Sequence, residues 1–314
     1  IRRIGLSATP ERQFDERGNK ALAKFFGCND GNYTFEFGMN EAIDKGYLCR
    51  YVYYPHLVSL TDCEMNEYVR ISRQLAKFFN FDDESLDSSD EIVMRLLLKR
   101  KRIIHKAVNK EGVFKSIVEQ RFKEKGNLKY TLVYVPEGNH PDNFDADRYA
   151  DTESVADDND ADRIIDTYTE IVKEISPTTT VKKFISGIKD RDSVLEDFAS
   201  GKLEVLTSMK CLDEGVDVPR SELAIFCAST GNPRQFIQRR GRILRNHPDK
   251  HRAIIHDLVV IPVINSADET FAMEASLLRN ELKRVRDFAT MSENADYAYR
   301  ELNEVLSYYG LSLF

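Results

Sequence analysis

Apolar residues fall into two alternating patterns along this chain: short unbroken runs, and longer stretches in which they recur every three or four positions. The runs at 51–60, 130–135, 181–185, 204–207, 223–228 and 253–260 are rich in Val, Ile, Leu and Tyr and predict strands. Helical spacing predicts helices over 20–26, 61–81, 92–110, 164–175 and 192–199, the last with Leu195 and Phe198 inward and Gly201 as its stop. A further short strand is expected around 33–37. Beyond 266 only helical spacing remains. Phe271, Ala275, Leu278, Leu282, Val285 and Ala289 follow at 4-3-4-3-4, Ser266 and Glu269 have capping-box spacing, and a second helix over 295–309 would pack alongside. Strands and helices alternating at these lengths predict an α/β fold, a parallel doubly wound sheet with a helical appendage at its carboxyl end.

Two stretches depart from this rhythm. In 92–110, Val93, Leu96, Leu97, Ile104, Ala107 and Val108 form an apolar face, and Arg95, Lys99, Arg102, Lys106 and Lys110 form a basic stripe. Such a stripe could face phosphates, but it is more commonly a solvated face on a helix packed against the core, which is the expectation. Residues 142–162 are acidic and poor in apolar side chains, which predicts a mobile insertion unable to bury enough surface to order itself.

Charge changes the picture only through its distribution. The chain of 314 residues carries a net charge of −7, unusual for a nucleic-acid binder. From Asp142 to Asp166 the net is −8, so the remainder stands at +1. Five cysteines without Cys-x-x-Cys spacing point to reduced thiols in a cytoplasmic protein, with neither a zinc site nor a disulfide framework. No apolar run approaches the ~18 residues that a membrane span needs.

The candidate chemistry centres on 235–245, which sets four arginines around Gly241 after a turn built from Gly231, Asn232 and Pro233. Gln238, Arg242 and Arg245 fall at i, i+4 and i+7, so one helical face would present all three. Converging polar heads can grip an anion, and a guanidinium suits phosphate oxygens best. This Gln-x-x-Gly-Arg-x-x-Arg segment resembles motif VI of superfamily-two (DEAD/DEAH-type) helicases and translocases, in particular XPB-like proteins and restriction-enzyme motor subunits.

Other stretches extend the resemblance over 1–262. Leu6-Ser7-Ala8-Thr9-Pro10 is similar to motif III, where Ser7 and Thr9 would couple an ATP site to a nucleic-acid groove. Residues 130–135 stand where the family has motif IV, and Ser186-Gly187 where it has a nucleic-acid-contacting turn. Thr207, followed by Glu214-Gly215-Val216-Asp217-Val218-Pro219, is similar to motif V. Thr207 at a strand's carboxyl end would bond a nucleic-acid phosphate, Gly215 would permit the turn, and Asp217 would accept from the ATP ribose. The resemblance also implies RecA-like architecture, with Arg242 and Arg245 as arginine fingers assisted by Gln238.

It divides the chain into the end of a first RecA-like domain and a bridge (1–50), a second RecA-like domain (51–262) and a helical extension (263–314). No Gly-x-x-x-x-Gly-Lys-Ser/Thr occurs anywhere in the sequence, and no Asp-Glu-x-x box ends a strand before Ser7. The expectation is the carboxyl-terminal part of an ATP-dependent helicase or translocase, with ATP and Mg²⁺ held mainly by an N-terminal RecA-like domain. Expected partners are DNA, that domain, and restriction or phage-defence subunits, with no membrane. The alternative is a non-catalytic nucleic-acid-binding or partner-docking module that keeps the fold.

Overall fold

The computed structural model describes residues 4–7, 16–28, 35–80, 85–86, 90–136, 158–185, 187–188, 190–209, 218–228 and 233–313. Two helices lead in, α1 (Glu16–Phe26) and α2 (Met39–Asp44), before the first sheet strand, β1 (Tyr51–Val58). A helical excursion follows: α3 (Asp62–Ala76), a small antiparallel hairpin of β2 (Phe79–Asn80) and β3 (Ser85–Leu86), then α4 (Glu91–His105) and α5 (Lys110–Lys125). Strands and helices then alternate through β4 (Thr131–Tyr134), α6 (Asp158–Ile175), β5 (Val181–Phe184), α7 (Arg191–Ala199), β6 (Val205–Ser208), β7 (Leu223–Phe226), α8 (Pro233–Ile243) and β8 (Ala253–Val260). The chain closes with α9 (Phe271–Thr290) and α10 (Ala295–Tyr309).

The six long strands form one sheet in the order β1-β8-β7-β4-β6-β5, every pair parallel. All residues of β4, β6 and β7 are buried, which requires cover on both faces. On one face Tyr53, Leu132, Tyr134, Leu206 and Phe226 pack under α7, α8, α9 and α10. On the other, Val133, Val205, Ile225 and Leu258 pack under α5 and α6. This is the parallel, doubly wound sheet expected from the pattern. β6 and β7 lie on opposite sides of β4, which makes the carboxyl end of β4 the topological switch point.

The stripe of α9 is core as expected: Ala275, Leu278, Leu282, Val285 and Ala289 are all buried. The carboxyl-terminal helices also seal the sheet edge. Asn294 uses its side-chain amide as a strand would, accepting from the Tyr53 N–H at 2.7 Å and donating to the Tyr53 carbonyl at 2.9 Å. The Glu293 N–H donates to the Tyr51 carbonyl at 2.9 Å, so β1 offers no open ladder there.

Several expectations need correction. Residues 35–38 are not a strand, and 33–34 lie outside the described residues, as do 142–157. Helix α6 begins at Asp158, so the last residues of the acidic segment are helical. Ser266 forms no cap; Asp268 accepts from the Thr270 N–H and hydroxyl, both at 2.9 Å, and the helix starts at Phe271. In α7 it is Val194 that is buried with Phe198, while Leu195 is half-buried. The expected helix over 92–110 is two helices. Lys110 turns inward and donates to the His105 carbonyl at 2.9 Å, closing α4. The basic stripe is therefore cut to Arg95, Lys99 and Arg102 as its exposed members, and Val108 is exposed rather than core.

Between α3, α4 and α9 lies a buried charge cluster. Glu274 accepts from the Tyr68 hydroxyl at 2.5 Å, the Ser72 hydroxyl at 2.5 Å and Arg100 Nη2 at 3.0 Å, and the Arg100 guanidinium also lies 4.8 Å above the Tyr68 ring. Removing one member strands a buried charge, so Arg100→Ala should lower the unfolding free energy by about 3 kcal/mol. Urea denaturation checks this, and a loss below about 1 kcal/mol would contradict it.

On β1 and β8, His56 Nε2 and His256 Nδ1 meet at 2.8 Å. Burial, with His56 and Arg121 nearby, pushes His256 down to about 3, and burial lowers His56 as well. Both rings fold neutral, whereas the unfolded chain takes up protons as pH falls through the ordinary value of 6.5. Stability should therefore drop with falling pH, by about 2 kcal/mol between pH 6.5 and about 5, and His256→Gln should flatten that slope. An equally flat wild-type profile in urea titrations would refute the assignment.

Candidate functional site

The last residues of β5, β6, β4 and β7 (Phe184, Ser208, Tyr134 and Phe226) align into a row that continues to Asp257, three residues before the end of β8. Guanidiniums lie above it. Arg191 sits 5.2 Å over the Phe184 ring, Arg239 sits 4.9 Å over the Tyr134 ring, and Arg284 meets Asp257 at 3.3 Å. Asp257 also accepts from the Tyr53 hydroxyl at 2.8 Å.

Helix α8 supplies the central arginine. It opens at Pro233, whose fixed φ suits a first helical position and which has no N–H to satisfy there. Phe236 and Ile243 are buried on one face at i and i+7, and Arg239 and Arg240 occupy i+3 and i+4 on that same face. Both arginines are core residues, 1% and 2% exposed. Arg239 donates to the Met209 carbonyl at 3.4 Å, just past the end of β6. Arg240 donates to the Asp287 carbonyl at 2.6 Å and lies 4.8 Å over the Phe288 ring in α9. The helix is thereby tied to the strand end on one side and to the carboxyl-terminal layer on the other.

Gln238 and Arg242, four residues apart, are both half-buried on the other side of α8. Arg245 does not continue that face. The helix ends at Ile243, and the Arg245 backbone instead forms an antiparallel bridge with Leu48. The i+7 argument thus fails for Arg245, whose backbone N–H donates to the Arg242 carbonyl at 3.3 Å just past the helix end. The Cys49 N–H donates to the Leu244 carbonyl at 2.8 Å and Asn246 Nδ2 to the Gly46 carbonyl at 2.5 Å, so residues 46–49 run along the end of α8.

Lys250 closes the same end. Its buried amine donates to the carbonyls of Ile243, of Arg245 at 2.8 Å and of Pro219 at 3.4 Å. Burial pushes this amine below its ordinary value, while Cys49 beside it pulls the other way; the carbonyls favour the charged form. Burial raises the Cys49 thiol.

Thr207 is a correction. It lies at the end of β6 as expected, but it is wholly buried, and its hydroxyl meets that of Thr169 at 3.0 Å. Thr169 donates onward to the Ile165 carbonyl at 2.7 Å, which leaves Thr207 as the donor of the pair. A hydroxyl so used pins α6 to the sheet and is not presented to a phosphate. Gly187 has φ +76, which a side-chain-bearing residue would adopt only with strain. Ser186, Gly215, Asp217 and Thr9 lie outside the described residues. Ser7 is in an exposed stretch packed near α1, where a Cβ on Gly5 would come within 2.7 Å of the Phe26 ring. Among the described residues no helix is long and apolar enough to cross a membrane, and no three His, Cys, Asp or Glu side chains gather as metal ligands would.

Arg239, Arg240, Thr169 and Lys250 were not anticipated as part of this site. The two arginines could have been: they share the core stripe of Phe236 and Ile243, where a solvated cation does not belong.

Residues 167–247, which run from α6 past the end of α8, match the helicase conserved C-terminal domain. That stretch is similar to the conserved C-terminal domain of helicases. Over 267 residues the chain is 28% identical to DNA 3'-5' translocase XPB2 of Sulfurisphaera tokodaii, covering 81% of this chain and 52% of that protein. The chain thus spans about half the length of this relative. A shorter match, 33% identical over 70 residues, reaches the putative ATP-dependent helicase IRC3 of Saccharomyces cerevisiae, across 22% of this chain and 10% of that one. Among solved structures, a fragment of a putative HsdR subunit of a type I restriction enzyme from Vibrio vulnificus is 17% identical with a TM-score of 0.44. It covers 80% of this chain and 38% of its own. The helicase domain of Pyrococcus furiosus Hef gives 15% and 0.43, across 82% of this chain and 64% of that one.

Proposed function

We propose that this chain is the carboxyl-terminal half of an ATP-dependent DNA translocase or helicase. Its share of the work is to supply Arg242 and Arg245 to a nucleotide held, with Mg²⁺, by an N-terminal RecA-like domain. ATP hydrolysis spreads negative charge over the γ-phosphoryl oxygens, and an arginine placed there is worth roughly 10³–10⁵ in rate. The observation that carries the reading is the anchoring of α8. Arg239 and Arg240 are sunk in the core, so Gln238 and Arg242 are held on the opposite side of a helix that cannot roll. The donors fit a triphosphate: an amide and guanidiniums, with backbone fixed around them.

Gly215 and Asp217 in this reading line the nucleotide site, and Gly187 with Ser186 lines the groove for DNA. Ser7 and Thr9 couple the two. DNA rather than RNA is favoured by the relative that spans most of this chain, whose name specifies a DNA translocase. A place in a restriction or phage-defence system, with the matching subunits as partners, is the finer form of the proposal and rests on the resemblance of 238–245 to such motors.

In the full-length protein, Arg245→Ala should reduce DNA-stimulated ATP turnover by about 10³-fold while DNA affinity changes by less than about threefold. The backbone bridge to Leu48 survives this substitution, so folding is spared. Turnover equal to wild type would remove Arg245 from the proposal.

A further inference from the structure

We infer that Lys250 is a positioning residue that sets Arg242 and Arg245 by clamping three chain segments to one ammonium. The inference rests on the nucleotide site proposed above. The Ile243 and Arg245 carbonyls belong to the end of α8, where the last turn's carbonyls lack helical partners and attract a cation. The Pro219 carbonyl, at 3.4 Å, belongs to the segment that follows Gly215 and Asp217 in sequence. Cys49, beside the amine, belongs to the segment entering β1, and its N–H donates to the Leu244 carbonyl at 2.8 Å.

A second tie runs in parallel. Arg220 Nη1 donates to the Asp249 carbonyl at 3.1 Å, so with the Lys250–Pro219 bond residues 219–220 and 249–250 are fixed to each other twice. Lys250 is 6% exposed, and an ordinary C-terminal cap would need neither that burial nor a carbonyl 31 residues away. Release of the clamp would let the α8 end, the residues after Asp217 and the 46–49 segment move separately. Misplacing a charge-stabilising group by about 1 Å can cost on the order of 100-fold in rate.

The test uses full-length protein carrying Lys250→Met, with Lys250→Gln, which keeps one short donor, as the substitute if the first does not fold. Two readings are taken: ATP turnover with saturating duplex DNA, and backbone hydrogen exchange. The expected result is a kcat lower by about tenfold or more with the KM for ATP within about threefold of wild type. Exchange should rise together at 46–49, 218–221 and 243–246 and stay unchanged in β4 and β7. A kcat within about twofold of wild type, or faster exchange confined to 243–246, would overturn the clamp and leave Lys250 a local cap. Wild-type protein without ATP turnover would instead refute the nucleotide site, and the exchange pattern would still decide the clamp.

Discussion

Two guanidiniums without access to water are the constraint on which the site depends. A buried cation must be met by acceptors, or its desolvation is not repaid. Arg239 and Arg240 therefore dictate where backbone carbonyls and ring faces must lie. Arg239 needs the Met209 carbonyl and the Tyr134 ring, which brings α8 over the end of β6 at the switch point of the sheet. Arg240 needs the Asp287 carbonyl and the Phe288 ring, which brings α9 against α8. Once both are placed, α8 has no rotational freedom left, and Gln238 and Arg242 acquire fixed positions from residues that never meet a ligand.

The far end of α8 is governed by a different balance. Its open carbonyls draw in Lys250, and the segment at 46–49 pairs with Leu244, Arg245 and Asn246. The stretch that leads from α2 into β1 is thus in register with the end of the arginine helix. In the proposed motor this stretch follows the first RecA-like domain, so a change in the relation of the two domains would be felt at Arg245 through main-chain bonds.

The strands were readable from the chain because β4, β6 and β7 are buried on both faces, and only an unbroken apolar run satisfies that. α9 and α10 were readable for the complementary reason, a single apolar stripe at helical spacing. Helix α5 was passed over; its buried Phe114, Ile117 and Val118 share the helix with a buried Arg121 that pairs with Glu222, far away in sequence. The same kind of distant partner misled the reading of the site. Thr207 was placed correctly on its strand, but only the fold reveals Thr169 above it. Arg245 has the spacing of a helical residue, but the helix stops at Ile243 and Arg245 pairs instead with Leu48, nearly two hundred residues back.

The central claim is that α8, anchored by its buried arginines and clamped at its end, faces a nucleotide. Hydrogen exchange of the full-length protein with and without a non-hydrolysable ATP analogue tests it most directly. The account predicts added protection at 238–246 and at 46–49 when the analogue binds, with α5 and α6 unchanged. Bound analogue that leaves 238–246 exchanging as in the free protein would contradict it.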